Sequence, residues 1–152
     1  LFRSELVELA DTREHLLALI DEDARAFGPL AAAYGMPKGS DEERAAQSAA
    51  LQAALVDACE VPLEIMATSV QVIESCVFMA RHGSVLALSD AGAAAVLAKA
   101  ALQAASLNVV INIGSMDDAE RAEGYRNQME DLLAAGCAMA DEVYADVVKR
   151  LS

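Results

Sequence analysis

The chain is short of residues that interrupt helices and of aromatic side chains. Its 152 residues include no Trp, three Pro, eight Gly, three Phe and three Tyr, against 33 Ala. Because Ala favours the helix most strongly and Gly and Pro least, this composition predicts an all-α fold. The length suits one domain over residues 1–152. Hydrophobic residues make up 55% of the chain, which excludes intrinsic disorder and favours burial of apolar surface between subunits.

Positive charge is also scarce. Eleven Lys and Arg oppose 24 Asp and Glu, for a formal net charge of -13. Such a chain repels nucleic-acid phosphates and anionic membrane surfaces, so we expect neither partner. Few charges fall between residues 61 and 116, so this region is predicted to form the core or the subunit interface. Its most apolar part, 91–116, carries one lysine, one glutamine and two asparagines, which favours an interior helix over a membrane span.

Cysteine and histidine are too few to build the commonest disulfide frameworks and metal centres. The three cysteines are Cys59, Cys76 and Cys137. Their odd number and dispersed positions predict free thiols in a reducing compartment, and hence a cytoplasmic protein. With only His15 and His82, no HExxH motif or Ser-His-Asp triad is expected. The acidic residues 21–23 are more typical of a solvated helix face than of a cation site, so we expect no bound metal.

Hydrophobic periodicity predicts an up-and-down bundle of long helices. The predicted segments are 1–34, 40–59, 63–81, 89–113 and 117–150. Gly35 and Pro37 end the first segment, and Ser40 with Glu43 forms a capping-box pattern that opens the second. Pro62 lacks the amide hydrogen that bonds back one turn, so it begins a new helix or kinks a continuous one.

Helix-capping residues set the predicted boundaries in the second half of the chain. Ser89 and Asp90 are both good N-cap residues for the fourth segment. Ser115 with Asp118 opens the last segment, which is predicted to bend near Gly136.

Two amides interrupt the apolar fourth segment. Asn108 and Asn112 are four residues apart and therefore share one helix face. Buried amides need hydrogen-bond partners, so this pair either ties helices together or lines a polar pocket. By residue type alone, Asp90 is a helix cap and Lys38, in a Pro-Lys-Gly loop, is a solvated lysine. These residues leave both interpretations of the amide pair open.

An ordered series of short motifs runs along the chain. The motifs are Asp21-Glu22-Asp23-Ala24-Arg25-Ala26-Phe27, Tyr34-Gly35-Met36-Pro37-Lys38, Asp41-Glu42-Glu43-Arg44-Ala45-Ala46, Val61-Pro62-Leu63, Ser89-Asp90-Ala91-Gly92 and Asn108-Val109-Val110-Ile111-Asn112. In order and spacing the series resembles the folate cyclodeaminase and cyclohydrolase family. This family comprises methenyltetrahydrofolate cyclohydrolases and the C-terminal domain of formiminotransferase-cyclodeaminase. The resemblance covers residues 5–148.

The resemblance implies an all-helical homodimer that binds a reduced folate in a cleft between helices. Family members hydrolyse 5,10-methenyltetrahydrofolate to 10-formyltetrahydrofolate, or close 5-formiminotetrahydrofolate to the methenyl form with loss of ammonia. The resemblance favours the cyclohydrolase reaction, because the chain shows no fused formiminotransferase domain. Neither reaction implies a cofactor beyond the tetrahydrofolate substrate.

Carried over residue by residue, the resemblance implies catalytic roles for Asp23, Lys38 and Asp90. The two carboxylates would face a cationic amidinium or orient water, and Lys38 would carry protons or anchor the folate carboxylates. Substrate binding is implied for Asn108, Asn112 and Ser89. We expect all six side chains to converge on one cavity walled by helices.

Three departures from the family pattern favour an alternative function. Gln47 stands where the family usually has Arg, and Ser84 where it usually has Asn. The family's opening segment, with a Pro-Gly-Gly-Gly turn, has no counterpart before Leu1, so we expect this Gly-rich segment to be missing. The alternative is a catalytically weakened helical dimer of the same fold that binds folate or serves as an interaction module.

Overall fold

The computed structural model describes residues 2–152, so the predicted helix start at Leu1 lies outside the described residues. Within the described part, the regular elements are all helical. They are α1 (Phe2–Tyr34), α2 (Asp41–His82), α3 (Leu88–Ile113) and α4 (Ala119–Leu151), with a short 3-10 turn at Val85–Ala87. The predicted all-α class is confirmed.

α2 is the central helix of the bundle. It packs against α1, α3 and α4, and α3 also packs against α4. The core lies where α2, α3 and α4 meet, around the fully buried side chains of Met66, Ile73, Leu102 and Val109. Small residues on α3 bring the helices close together. The buried alanines of α3 are Ala91, Ala95, Ala98 and Ala105.

Of the two expectations for Pro62, the beginning of a new helix is wrong, because α2 runs unbroken from Asp41 to His82. Proline has no amide hydrogen, so the carbonyl oxygen of Ala58, one turn earlier, loses its helical donor. In the structure, Nδ2 of Asn112 donates a hydrogen bond to this oxygen at 2.6 Å. α3 thus supplies the donor that α2 lacks, and the four long helices replace the five predicted segments.

The start of α2 is capped as predicted. Oγ of Ser40 accepts a hydrogen bond from the Glu43 amide at 3.1 Å, and Oε2 of Glu43 accepts one from the Ser40 amide at 3.2 Å. This reciprocal pair satisfies two amides that the helix cannot satisfy itself. The capping-box prediction is confirmed.

The predicted N-caps of α3 are wrong. The cap is Ala87, which makes no side-chain hydrogen bond, and Ser89 and Asp90 lie inside the first turn. The reason is the preceding 3-10 turn, which runs directly into α3. Oγ of Ser84 accepts from the Leu86 amide at 3.3 Å and so caps that turn instead.

Asp118 alone caps α4. Its side chain accepts a hydrogen bond from the Arg121 amide at 3.0 Å, while Ser115 lies outside the helix. α4 continues through Gly136 without a break.

Gly136 permits a close approach of α4 to α2 and α3. It is buried, and a Cβ atom at this position would lie 2.5 Å from Cδ2 of Leu102 and 3.0 Å from Cγ2 of Val70. Both distances are shorter than ordinary carbon contacts. A side chain here would push α4 away from the core.

Replacing Gly136 with Ala is expected to lower the free energy of unfolding by about 1 kcal/mol. Higher helix propensity contributes about 1 kcal/mol, but overpacking against Leu102 costs about 1–3 kcal/mol. Gly124→Ala is the matched control, because no atom other than the adjoining backbone of α4 lies within 4 Å of a Cβ at that position. It should raise stability by about 1 kcal/mol. Urea denaturation measures both, and equal shifts would contradict close packing at Gly136.

Two of the three thiols are buried. Cys59 and Cys76 lie in the interior, while Cys137 is half-buried, and all three are free. Burial raises the pKa of Cys59 to about 11 and raises the pKa of Cys76. Since the thiolate is the reactive form, these two thiols are chemically inert at neutral pH.

α2 and the segment Val85–Ile113 are each long and apolar enough to cross a membrane, judged by length and composition alone. Core helices pass the same test. In this fold both segments contribute buried residues to the helical core.

Candidate active site

A cavity of about 290 Å³ opens between α1 and α3, with α2 as its floor. Its polar lining consists of the Asp23 carboxylate, the Asn108 and Asn112 amides and the Tyr34 phenol. Phe27, with Leu30, Pro62 and Ile111, supplies much of the apolar wall. The size and mixed character of this cavity are those of a small-molecule site.

Helical spacing explains why these side chains meet. Asp23, Phe27, Leu30 and Tyr34 follow one another by four, three and four residues along α1, so they share one face. Asn108 and Asn112 share one face of α3 in the same way. α2 holds both helices at its sides, and the two faces become opposite walls of the cavity.

Three of the six predicted site residues lie together in this cavity. They are Asp23, Asn108 and Asn112. Within residues 2–152, neither Asp23 nor Asn108 forms an ion pair or hydrogen bond through its side chain, and both are exposed. Both are therefore open to a ligand.

The two interpretations of the amide pair each apply to one member. Asn112 is half-buried and bonded to the Ala58 carbonyl, so it ties α3 to α2 while lining the cavity. Asn108 is exposed and contributes a free amide to the cavity wall. The spacing placed both on one face, but only the proline in α2 distinguishes their roles.

The other three predicted residues lie elsewhere in the chain. Lys38 is exposed in the loop after α1, four residues beyond Tyr34, and its carbonyl oxygen accepts from Nη1 of Arg44 at 3.1 Å. Ser89 and Asp90 are exposed in the first turn of α3. Asp90 lines a second, largely apolar cavity of about 270 Å³.

Distance along α3 separates Asp90 from the first cavity. Asp90 and Asn108 are 18 residues apart, which is about 27 Å along a helix. The expected convergence of Lys38, Ser89 and Asp90 with the other residues does not occur within one chain.

The cavity has a negative character. Asp23 is the one charged residue among those described as lining it. Within residues 2–152, Asp23 forms no ion pair, whereas Lys99 of α3 is paired with Asp141 at 2.6 Å, and this hydrogen bond raises the pKa of Lys99. Arg44 is paired with Asp41. An uncompensated carboxylate in a mainly apolar cavity favours a cationic ligand.

Sequence reasoning missed the aromatic wall. Phe27 is 60% exposed and Tyr34 is 51% exposed, in a chain with six aromatic residues. Their spacing from Asp23, by four and eleven residues, was the available signal. Aromatic rings beside a carboxylate suit a flat heterocyclic ligand.

The two substituted family positions have structural partners. Nε2 of Gln47 donates to the carbonyl oxygen of Ala33 at 3.2 Å and so fixes the last turn of α1. Ser84 caps the 3-10 turn. Neither residue is among those that line the cavity of about 290 Å³. Within residues 2–152, no three His, Cys, Asp or Glu side chains are grouped closely enough to share a metal ion.

Fold and cavity together define a class: an all-helical domain with a carboxylate and an amide on facing helices around a small-molecule site. Residues 2–131 match the Formiminotransferase-cyclodeaminase family over most of the chain. The chain belongs to this family. The resemblance inferred from the ordered motifs is confirmed.

The relatives are enzymes of folate chemistry. The chain is 37% identical over 140 residues to the methenyltetrahydrofolate cyclohydrolase of Methylorubrum extorquens, covering 92% of this chain and 67% of that protein. It is 36% identical over 118 residues to the formimidoyltransferase-cyclodeaminase of Rattus norvegicus, covering 78% of this chain and 22% of that protein.

A solved structure has the same fold. The crystal structure of formiminotetrahydrofolate cyclodeaminase from Thermotoga maritima matches with a TM-score of 0.71 and 28% sequence identity, covering 95% of this chain and 66% of that chain. The chain therefore spans about two thirds of the bacterial relatives' length and about a fifth of the rat protein.

Proposed function

We propose that this protein hydrolyses 5,10-methenyltetrahydrofolate to 10-formyltetrahydrofolate. The observation that carries the proposal is 37% identity, over 92% of the chain, to a protein named methenyltetrahydrofolate cyclohydrolase. The charge of the cavity supports it, because the methenyl bridge is a cationic amidinium and Asp23 supplies the matching negative charge. The proposal includes no cofactor beyond the tetrahydrofolate substrate.

The reaction needs a proton acceptor beside the bridging carbon. Water adds to the carbon between N5 and N10 and loses a proton, which gives a tetrahedral centre. The bond from this carbon to N5 then breaks, N5 takes up a proton, and the hydroxyl on the carbon loses its proton to become the carbonyl of the formyl group on N10. One proton is released overall. A carboxylate that only paired with the cation would strengthen binding without raising the rate. Asp23 therefore accelerates the reaction by accepting the proton of the attacking water.

The other residues of the cavity bind and orient the substrate. The free amide of Asn108 donates a hydrogen bond to the substrate or to the oxygen that develops at the tetrahedral carbon. Phe27 and Tyr34 pack against the flat pterin ring. Asn112 keeps its bond to Ala58 and holds the Asn108 wall in place.

The proposal also assigns Lys38, Ser89 and Asp90 roles in catalysis or substrate binding. Lys38 carries protons or anchors the anionic carboxylates of the folate tail, and its place four residues after Tyr34 supports the anchoring role. A lysine there also offsets the repulsion between the tail and a chain of net charge -13. Ser89 and Asp90 face substrate only if another chain brings them there.

Cyclodeaminase activity is the second candidate. It is supported by the fold shared with the Thermotoga maritima cyclodeaminase. Closing the formimino group also passes through a tetrahedral carbon between two nitrogens and yields the same amidinium cation. Asp23 suits both reactions. The third candidate, a module with weakened catalysis, is less well supported, because Gln47 and Ser84 hold structural hydrogen bonds outside the cavity.

We also propose that the enzyme is a cytoplasmic homodimer without nucleic-acid or membrane partners. The acidic balance supports the absence of those partners. The free thiols support a reducing compartment. Exposed apolar side chains on α1 and α3 support self-association.

Purified protein is expected to speed the disappearance of the methenyl chromophore above the spontaneous rate in buffer. A parallel reaction with 5-formiminotetrahydrofolate follows the appearance of the same chromophore and of ammonia. Activity in the second reaction alone would establish the cyclodeaminase instead. If the protein bound folate but catalysed neither reaction, it would be a folate-binding module, and both enzymatic functions would be contradicted.

A further inference from the structure

A cavity of about 320 Å³ lies between the C-terminal halves of α2 and α4. We call it the α2–α4 cavity. Three residues of each helix line it: Val77, Ala80 and Arg81 of α2, and Glu142, Val143 and Asp146 of α4. None of these residues lines the cavity of about 290 Å³ that contains Asp23. Along α2, Val77 lies about 22 Å beyond Pro62, so the two cavities are separate.

The floor of the α2–α4 cavity is apolar and rigid. Ala80 and Val143 are buried in the core, and Val77 is half-buried against it. Side chains packed at core density hold their positions, so this floor is formed before any ligand arrives. An apolar group placed on it would leave water. The volume of the α2–α4 cavity lies within the range of small-molecule sites, which begins at about 300 Å³.

Two opposite charges border this floor without pairing. Arg81 extends from α2 and Glu142 from α4. Within residues 2–152, neither side chain forms an ion pair or a hydrogen bond. Both residues are exposed, so a ligand in the α2–α4 cavity can reach them. A guanidinium and a carboxylate that share a cavity but do not meet can be joined by a molecule that carries both charges.

The third charge of the α2–α4 cavity already has a partner. Asp146 accepts a hydrogen bond from Nη1 of Arg150 at 3.3 Å. The same nitrogen donates to the carbonyl oxygen of Ala80, so Arg150 ties the end of α4 to the end of α2. Arg150 thereby balances the charge of Asp146. Among the residues described as lining the cavity, one open cation, Arg81, and one open anion, Glu142, remain.

One free charge of each sign favours a zwitterionic ligand. An α-amino acid carries a carboxylate and an ammonium group on the same carbon, and both are charged at neutral pH. A guanidinium binds a carboxylate through two parallel N–H···O bonds, and an ammonium group donates to a carboxylate. A purely anionic ligand would be repelled by Glu142, and a purely cationic one by Arg81. The ligand that suits both charges and the apolar floor is therefore an amino acid with an apolar side chain.

We propose that the α2–α4 cavity binds a free α-amino acid with an apolar side chain. Arg81 binds the carboxylate of the ligand, and Glu142 accepts hydrogen bonds from its ammonium group. The side chain of the ligand contacts Val77 and Val143. A ligand held by both helices bridges α2 and α4 and so stabilises the folded chain. This site does not depend on the proposed function, because the two cavities share no lining residue.

Titration with L-leucine tests the site. Amide NMR spectra of the isotope-labelled chain should show saturable shifts at the residues of the α2–α4 cavity, and none at Asp23 or Asn108 in the candidate active site. Isocaproate is leucine without its ammonium group, and isoamylamine is leucine without its carboxylate. Each should bind at least about tenfold more weakly than leucine, because each leaves one charge of the cavity unmatched.

Removing either open charge should weaken leucine binding at least about tenfold. Arg81→Gln removes the cation and Glu142→Gln removes the anion. Both positions are exposed, so helical circular dichroism should not change. Lys149→Gln and Glu130→Gln are the matched controls on α4, because both native residues are exposed, form no side-chain ion pair or hydrogen bond within residues 2–152, and do not line the α2–α4 cavity. Both control variants should bind leucine with native affinity.

Three results would overturn the proposal. If isoamylamine or isocaproate bound as tightly as leucine, one of the two charges would take no part. Equal losses of affinity in Glu142→Gln and Glu130→Gln would show a general effect of charge. Shifts that do not saturate with leucine, or that fall outside the α2–α4 cavity, would show that these residues form no site. Folate turnover enters none of these measurements, so failure of the proposed function and failure of this site are distinguishable.

Discussion

Replacing Asp23 with Asn is expected to lower kcat for methenyltetrahydrofolate hydrolysis at least about 100-fold, the usual contribution of a positioned general base. The amide keeps the shape of the side chain but cannot accept the proton of the attacking water. The fold should not change, because the Asp23 side chain is exposed and has no hydrogen bond or ion pair within residues 2–152. Decay of the methenyl chromophore under saturating substrate measures the effect.

Asp21→Asn is the matched control for this experiment. Asp21 lies in the same turn region of α1 and is exposed, but it pairs with Arg25 at 4.0 Å and is not among the residues lining the cavity. The kcat of the Asp21→Asn variant for methenyltetrahydrofolate hydrolysis should stay at the native value. If Asp23→Asn raised KM and left kcat unchanged, the carboxylate would contribute to binding alone, which contradicts its role as a base.

Replacing Asn112 with Leu is expected to lower the free energy of unfolding by about 1–3 kcal/mol, the cost of leaving a buried polar group without its partner. Asn112 donates to the carbonyl oxygen of Ala58, which cannot receive a helical hydrogen bond because Pro62 has no amide hydrogen. The leucine side chain fills the space but leaves this oxygen unsatisfied. Chemical denaturation measures the loss.

Pro62→Ala tests the cause of that loss. Alanine restores the helical amide one turn after Ala58, so the carbonyl oxygen no longer depends on α3. In the Pro62→Ala background, Asn112→Leu should cost clearly less than in the native chain, and a double-mutant cycle reports the difference as a coupling energy. Additive losses would mean that Asn112 and Pro62 act independently.

The long helices were predictable because they depend on local patterns. Apolar periodicity, the capping box at Ser40 and the stop at Gly35 act over a few residues and survive in the fold. The alternative of a separate helix beginning at Pro62 failed, because the side chain that satisfies the Ala58 carbonyl lies on another helix, in Asn112. The sequence shows that Pro62 lacks an amide donor, but it does not show that Asn112, 50 residues later, supplies a donor in its place.

The cavity was predictable in part for the same reason. Helical spacing placed Asn108 and Asn112 on one face, and the family resemblance named Asp23, which α2 brings opposite them. The aromatic wall of Phe27 and Tyr34 was missed, because exposed aromatic residues on a helix indicate many kinds of surface. The catalytic role of Asp90 remains a prediction, because Asp90 lies about 27 Å from Asn108 along α3.

α1 is held less firmly than the other three helices. Among the described helices it packs against α2 alone, and only Leu19, Leu30 and Ala33 of its residues are buried. Detaching it leaves the packing of α2, α3 and α4 intact, so it unfolds locally at a lower free energy than the core. The Asp23 wall therefore opens at a lower free-energy cost than the Asn108 wall, and we expect a bulky folate to enter by displacement of α1 while the α3 side keeps its alignment.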